Sequence, residues 1–223
     1  MIVAIVQART KSARLPNKVL MDICGKPMLE RVLDRLCHSK LIDIIQIATT
    51  NSGSDMRIID IAARMSVYCY CHSREKENDL LDRFYRARVW SNDDVVVRVT
   101  ADCPCIDPEL VDQTIKYFLD NKFDYVSNCS NYPDGFDTEV FSFSALEQAW
   151  EKATDPRDRE HIGLWMVRNC PKVGSLPCNR RIPKVKLSVD TMEDLELIRK
   201  VFQKIGNHIF TYEEAIDAAS NTT

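Results

Sequence analysis

The sequence predicts an α/β fold, a single domain with a mainly parallel, mixed sheet flanked by helices. Two observations support this prediction: short apolar runs alternate with helical patterns along most of the chain, and 223 residues suit one large domain. Such alternation is typical of βαβ units with right-handed crossovers. Runs rich in Val, Ile or Tyr predict four strands, at residues 2–7, 44–49, 67–71 and 94–100.

Helices are predicted between and after these strands, over Pro27–His38, Ser54–Ser66, Asp79–Trp90 and Pro108–Asn121. In the first helix, Leu29, Val32, Leu33 and Leu36 recur at helical spacing, and the third has a comparable apolar stripe. The fourth begins with Asp107 as N-cap and Pro108 at its first position.

The alternation changes after residue 122. A loop pattern at 131–135 precedes a predicted strand at 138–142, and helices are predicted over Ser144–Thr154 and Arg157–Asn169. A proline-containing segment, 171–183, leads to a predicted strand at 184–189 and to helices at 192–205 and 211–219. No linker separates two domains, so we expect one domain over 1–223 with an irregular segment at about 123–183.

Composition excludes several classes of protein. Thirty basic and 33 acidic residues give a net charge of −3, which argues against a protein that coats nucleic acid. Nine cysteines, an odd number with no C-x-x-C pair, favour free thiols in a reducing cytoplasm. No signal peptide or membrane-spanning run is recognisable, so we expect a cytoplasmic protein without a membrane partner.

A basic loop follows the first predicted strand. Arg9, Lys11, Arg14 and Lys18 place four cations within ten residues. Ligands bind at the carboxyl ends of strands in such sheets, so this loop is placed to gather a polyphosphate. It contains no glycine, so it is neither a dinucleotide fingerprint nor a P-loop, and side chains must bind the phosphates. From the charges alone, a solvated basic turn fits equally well.

The loop reads Q-A-R-x-x-S-x-R-L-P-x-K from Gln7 to Lys18, and it resembles the nucleotide-binding loop of cytidylyltransferases related to CMP-sugar-acid synthetases. The branch that resembles it most is that of spore-coat polysaccharide biosynthesis proteins. The likeness continues through four further segments in the same order, at residues 79–85, 98–104, 133–141 and 188–195. It implies a Rossmann-like nucleotidyltransferase domain that uses CTP.

The resemblance also implies roles for individual residues. Arg9, Lys18 and Asp102 are expected to be catalytic. The residues expected to bind the nucleotide are Gln7, Ala8, Arg9, Thr10, Lys11, Ser12, Arg14, Lys18, Asp82, Arg83, Thr100 and Ala101. For Asp82 and Arg83, i,i+4 ion pairing on a helix accounts for the sequence as well.

Two aspartates that follow predicted strands are candidate Mg²⁺ ligands. Asp102 follows the strand at 94–100 and Asp190 the strand at 184–189, so both are expected at the edge that carries the basic loop. Carboxylate oxygens are ligands that Mg²⁺ prefers, and the resemblance implies the same role. The structural alternatives are a turn cap for Asp102 and a helix N-cap for Asp190.

Three further residues are candidate acceptor contacts. Asp137 and Glu139 alternate in the predicted strand at 138–142 and its approach, although a salt-bridged surface strand also explains them. His161 lies in the polar run 157–161, where a structural histidine is an equal alternative.

The predicted function is Mg²⁺-dependent transfer of a nucleotidyl group, with CTP as donor and release of pyrophosphate. The acceptor is expected to be a small anion, a sugar acid, sugar phosphate or phosphonate, in surface-polysaccharide or related biosynthesis. Two alternatives stay open: a glycosyltransferase that uses a nucleotide sugar, and a non-catalytic nucleotide-binding subunit. A homodimer is also expected, with contacts in the segment after residue 122.

Overall fold

Four strands form the parallel half of a seven-stranded mixed sheet. The computed structural model describes residues 1–87, 94–178, 180 and 182–221. The parallel strands are β1 (Ile2–Gln7), β4 (Ile44–Thr50), β5 (Tyr68–His72) and β6 (Val95–Thr100). Between β1 and β4, a short antiparallel hairpin consists of β2 (Asp22–Ile23) and β3 (Lys26–Pro27).

The other half of the sheet contains an antiparallel strand. Strand β8 (Glu139–Ser142) pairs antiparallel with β6 and with β7 (Tyr125–Ser127), and β9 (Val173–Ser175) pairs parallel with β7. The sheet order is β5-β4-β1-β6-β8-β7-β9. The predicted α/β class with a mixed, mainly parallel sheet is therefore confirmed.

Helices cover both faces of this sheet. They are α1 (Met28–Leu36), α2 (Met56–Arg64), α3 (Leu80–Ala87), α4 (Pro108–Asn121), α5 (Phe143–Lys152), α6 (Pro156–Glu160), α7 (Ile162–Asn169), α8 (Met192–Ile205) and α9 (Tyr212–Ser220). Leucine, isoleucine and valine side chains of α1, α2 and α4 pack on one face, and α3, α5 and α7 pack on the other. A third cluster joins α8 and α9 to the β2–β3 hairpin through Ile23, Leu187 and Val189.

The predicted strand at Lys184–Val189 is wrong. This segment makes single hydrogen bonds instead of a ladder: the amide of Leu187 donates to the Asp134 carbonyl (2.7 Å) and that of Val189 to the Asp102 carbonyl (2.9 Å). Because Asp102 follows β6 directly, the segment passes the carboxyl end of that strand and does not run alongside it. It still delivers Asp190 to that end of the sheet.

Other boundaries also differ from the prediction. The helix predicted over Arg157–Asn169 is two helices, α6 and α7, because His161 has non-helical backbone angles (φ −118°, ψ 89°). The three-residue strands β7 and β9 were not predicted, and they make the segment 123–183 more regular than expected. The predicted helix at 79–90 is α3, and positions 88–90 lie outside the described residues.

All nine cysteines are free thiols. Among the described residues, none of the helices is both long and apolar enough to cross a membrane.

Candidate active site

A cavity of about 710 Å³ opens at the carboxyl ends of β1 and β6. Most of the predicted site residues line it. The predicted residues in its wall are Gln7, Ala8, Arg9, Lys11, Ser12, Arg14, Lys18, Arg83, Thr100, Ala101, Asp102, Asp137, His161 and Asp190. Thr10, Asp82 and Glu139 do not line it.

Thr10 anchors the basic loop from behind. Its backbone amide and its hydroxyl both donate to Asp55 Oδ1, over 2.8 and 2.6 Å, and its side chain is buried. Its carbonyl accepts from the Asn17 amide (2.7 Å), which closes the loop on itself. The loop is therefore held by internal hydrogen bonds, so its cations can face the cavity.

Two of the loop cations contact the segment that precedes α3. Arg9 donates to the Asn78 side chain (3.3 Å), and Lys11 pairs with Glu77 (2.9 Å). Lys11 keeps 77% of its side chain exposed, so this pair is a weak, replaceable contact. A polyphosphate can compete for both cations at little cost.

Lys18 brings the two candidate metal ligands together. Its Nζ lies 2.7 Å from Asp102 Oδ2 and 3.0 Å from Asp190 Oδ1, and it also donates to the Val189 carbonyl (2.7 Å). Only 11% of the lysine side chain is exposed. The two aspartates, 88 positions apart in sequence, therefore converge on one cationic group.

Asp190 is bound by further cations. Arg14 lies 2.8 Å from Oδ1 and Lys186 lies 3.1 Å from Oδ2. Burial favours the neutral acid, but the hydrogen bonds from Lys18 and Lys186 outweigh it and lower the pKa of Asp190. Asp190 is therefore ionised at neutral pH.

The N-cap of α8 is Thr191, whose side chain accepts from the Asp194 amide. The capping alternative for Asp190 is thus contradicted, and its carboxylate lines the cavity instead.

The donor set fits a hard divalent cation. Asp102 and Asp190 supply carboxylate oxygens that already converge on one positive charge, and Mg²⁺ is often bound by two carboxylates together with phosphate oxygens and water. Among the described residues, no cluster of three or more acidic, His or Cys side chains forms a complete protein cage. Such an open site is typical of a metal shared with a phosphate substrate.

Asp82 lies behind the cavity wall and is buried. It accepts from Trp150 Nε1 (2.7 Å) and Arg86 Nε (2.9 Å), and its Oδ2 lies 3.6 Å from His72 Nε2. Burial raises the pKa of Asp82, but the hydrogen bonds from Trp150 and Arg86 outweigh this and lower it. This side chain therefore joins α3 to α5, and it supports the cavity wall from behind without lining the cavity.

Arg83 differs from its neighbour because it lines the cavity. It is 2% exposed, donates to the Glu77 carbonyl, and its Nε has no partner among the described residues. Burial, followed by the nearby charge of Arg9, lowers its pKa to about 10, so it stays cationic at neutral pH. An unpaired buried donor at a cavity wall indicates a ligand contact.

Glu139 is bonded within the sheet and does not face the cavity. It pairs with Arg98, and its Oε1 accepts from the Tyr125 hydroxyl (2.5 Å). Gly163 of α7 allows this cluster to pack, because a Cβ there would lie 2.6 Å from both Glu139 Oε1 and the Tyr125 oxygen. Arg98 lines the cavity and donates to Gln7 (3.0 Å).

Several lining residues were not predicted: Ala13, Val19, Glu77, Asn78, Leu80, Arg98, Cys103, Asp134, Glu160 and Ser188. Arg98 lies within the apolar run of β6, and a single charged residue there does not indicate which face of the sheet its side chain occupies. Asp134 and Ser188 belong to the segments at 133–141 and 188–195 that carry the family resemblance. The sequence did not show that they line the same cavity as Asp102.

Comparisons with known proteins identify the family. The family model described as cytidylyltransferase matches residues 3–216. The spore coat polysaccharide biosynthesis protein SpsF of Bacillus subtilis is 32% identical over 219 residues, which cover 92% of this chain and 88% of SpsF. A 3-deoxy-manno-octulosonate cytidylyltransferase of Francisella tularensis is 27% identical over 248 residues, which cover 89% of this chain and 97% of that protein.

A solved structure also matches along almost the whole length. A cytidylyltransferase from Leptospira borgpetersenii superposes with a TM-score of 0.91 at 30% identity, over 99% of this chain and 94% of the other. The residues that the family model matches include the basic loop and both metal-ligand candidates. The chain belongs to the cytidylyltransferase family and is a nucleotidyltransferase enzyme.

Proposed function

We propose that this enzyme transfers CMP from CTP to a small anionic acceptor and releases pyrophosphate. The observation that carries the proposal is the junction of a basic loop, from Arg9 to Lys18, with two convergent carboxylates in one cavity. Phosphoryl transfer needs positioning and charge neutralisation above all, and this arrangement supplies both.

The residues divide the work according to their positions. Arg9, Lys11, Arg14 and Arg83 would bind the triphosphate, with the base near the Ala8 backbone and the start of α3. Lys18 would hold the Asp102 and Asp190 side chains in place. Its positive charge would offset the negative charge that develops as pyrophosphate leaves. Gln7, Ser12, Thr100 and Ala101 would complete the nucleotide wall.

Asp102 and Asp190 would hold Mg²⁺. When bound, the ion supplies positive charge that stabilises the phosphate oxygens during displacement. His161 and Asp137 line the same cavity and are proposed acceptor contacts, whereas Glu139 would act through Arg98. The relatives named above support a sugar acid as acceptor and a place in surface-polysaccharide synthesis.

Pyrophosphate release tests the proposal. Purified enzyme with Mg²⁺ is given each of the four nucleoside triphosphates in turn. The acceptors are 3-deoxy-manno-octulosonate, glucose 1-phosphate and 2-aminoethylphosphonate. We expect acceptor-dependent release with CTP, strongest with the sugar acid, and its loss in EDTA. Release with another triphosphate alone, or none with any pairing, contradicts the proposal.

Asp102→Asn tests the metal ligand within the same assay. We expect kcat to fall by about 10²-fold or more, because a neutral amide is a poor ligand for Mg²⁺. Asp120→Asn is the matched control, since Asp120 is an exposed residue of α4 paired only with Lys116 among the described residues. A kcat of Asp102→Asn within threefold of the control would remove Asp102 from the mechanism.

A further inference from the structure

Two cavity carboxylates on the turn between β7 and β8 interact with each other. Asp134 and Asp137 both line the cavity, and their carboxyl groups lie close enough to share a hydrogen bond when one of them is protonated. Asp137 also accepts from the Gly135 amide (3.3 Å) and interacts with the Cys129 thiol. Within the described ranges neither has an ion-pair partner, whereas Asp102 and Asp190 share Lys18.

The backbone places this pair beside the candidate metal ligands. The Asp134 carbonyl accepts from the Leu187 amide, and the Asp102 carbonyl accepts from the Val189 amide. Two residues of chain span about 7 Å at most, so the backbones of Asp134 and Asp102 are bound at nearby positions of one segment. Burial, and then the charges of Asp102, Asp137 and Asp134, raise the pKa of the Cys103 thiol. All three carboxylates therefore lie near this thiol.

Gly135 makes this approach possible. Its φ is +113°, and a Cβ there would lie 2.4 Å from the carbonyl carbon of Leu187 and 2.7 Å from the Ser188 nitrogen. A turn built with any other residue would keep Asp134 and Asp137 farther from the segment 187–190. The short separation is therefore built into the turn and not imposed by a neighbouring side chain.

The charges around the pair favour a hydroxyl and disfavour an ionised oxygen. Arg98 lines the cavity nearby, but Glu139 neutralises it. The cations that remain available come from the loop after β1 and from Arg83 of α3, where the triphosphate is proposed to bind. An anionic nucleophile would be repelled by Asp134 and Asp137, whereas a hydroxyl can donate a hydrogen bond to them.

We propose that the Asp134–Asp137 pair is the general base that takes the proton of an acceptor hydroxyl. This inference rests on the proposed cytidylyl transfer. The hydroxyl oxygen forms a bond to the α-phosphorus of CTP, and the bond from that phosphorus to the bridging oxygen breaks. Pyrophosphate leaves with the electron pair, and the proton moves to a carboxylate oxygen of the pair.

Electrostatics match this task. Burial, and then the proximity of Asp134, raises the pKa of Asp137 to about 6, although the hydrogen bond from Gly135 acts in the opposite direction. At neutral pH Asp137 is therefore ionised yet more basic than an ordinary aspartate, as a general base should be. The Cys103 and Cys129 thiols also lie near Asp137, and the charges of Glu139 and Arg98 act on the same Cys129 thiol.

The test uses the full chain with Mg²⁺, CTP and the three acceptors named above. The nucleophile is a hydroxyl in 3-deoxy-manno-octulosonate and an ionised oxygen in the other two. We expect turnover with the sugar acid, and a kcat lower by roughly 10²- to 10⁴-fold in Asp137→Asn. Asn keeps the shape of the side chain and the hydrogen bond from Gly135. Circular dichroism and an unchanged Kd for CTP confirm that the variant is folded.

The pH dependence separates a base from a merely structural residue. In the wild type, kcat should fall below about pH 6, because Asp137 gains its proton there. In Asp134→Asn that fall should move to lower pH, since the neighbouring negative charge is gone. Asp120→Asn should leave the profile unchanged.

Each outcome decides the matter. Turnover restricted to the phosphate or phosphonate, or a kcat for Asp137→Asn within threefold of the wild type, overturns the base while leaving cytidylyl transfer intact. Absence of pyrophosphate release with all three acceptors overturns the transfer itself, and the proton role falls with it.

Discussion

At the scale of one residue, Lys18 holds the candidate metal ligands of the cavity together. Its ammonium group makes three hydrogen bonds, to Asp102, Asp190 and the Val189 carbonyl, and its residue is only 9% exposed. The sequence places Lys18 in a basic loop and the aspartates after apolar runs, so their position at one edge of the sheet was predictable, but the contact between them was not. The path of the segment before Asp190 was not predictable from the sequence. This segment makes isolated hydrogen bonds, and these leave no periodic pattern in the sequence.

Residues whose partners are distant in sequence are the ones that sequence reasoning misplaces. Asp82 and Glu139 stand in motifs that resemble a nucleotide site and an acceptor site, yet they bind Trp150 and Arg98 inside the fold. A motif records which residues are present together, and does not separate a side chain that contacts ligand from one that supports it. That distinction depends on which way each side chain turns.

Asp137 should also cost the protein stability, and this is testable. Its pKa is raised in the folded state, to about 6, above the unfolded value near 3.9. The folded state therefore binds the proton more tightly, and stability falls as pH rises from about 4 to 6. Asp137→Asn should raise the free energy of unfolding by on the order of 1–2 kcal/mol at pH 8 and by little at pH 4.

Denaturant unfolding at the two pH values, in EDTA and without nucleotide, measures this effect. Asp120→Asn again serves as the control, because its carboxylate is 59% exposed. Equal stability of Asp137→Asn and the wild type at pH 8 would show that the charge of Asp137 does not destabilise the folded state.

Elements are joined here by buried arginines that the sequence presents as surface charges. Arg35 of α1 is 2% exposed and donates to the carbonyls of Ile106 (2.6 Å), His208 (2.7 Å) and Phe210 (2.6 Å). Its guanidinium also lies 3.8 Å from the Phe210 ring centroid. One side chain thus ties α1 to the loop after β6 and to the segment before α9, although burial lowers its pKa.

Arg35→Ala should therefore destabilise the fold strongly. The substitution leaves several buried carbonyls without a donor, and we expect a loss of about 3 kcal/mol or more in denaturant unfolding. Arg64→Ala removes the ion pair between Arg64 of α2, whose side chain is 63% exposed, and Glu30 of α1, and it should cost no more than about 0.5 kcal/mol. Similar losses in the two variants would refute a structural role for Arg35.

The same scale explains which elements the sequence predicted. The long strands β1, β4 and β6 and the amphipathic helices have strong periodicity, and they were found nearly to the residue. Strands β7 and β9 have three residues each, too few for any period to show. They exist because the sheet edge beyond β8 offers hydrogen-bonding partners.

At the scale of the whole molecule, the sheet topology brings the lining of the cavity together at one end of the sheet. Parallel β1 and β6 are neighbours, so the basic loop and Asp102 emerge side by side, and antiparallel β8 brings the turn of Asp134 and Asp137 to the same end. Sequence resemblance and fold therefore agree on the family. A homodimer, with contacts after residue 122, stays a prediction, as does a cytoplasmic location.

The fate of labelled CTP tests the central claim most directly. With a sugar-acid acceptor and Mg²⁺, the account predicts that phosphorus from the α-position of CTP appears in the product and that phosphorus from the γ-position appears in pyrophosphate. Transfer of the γ-phosphorus to the acceptor would contradict cytidylyl transfer at this cavity. So would α-label recovered in CDP with none in the product.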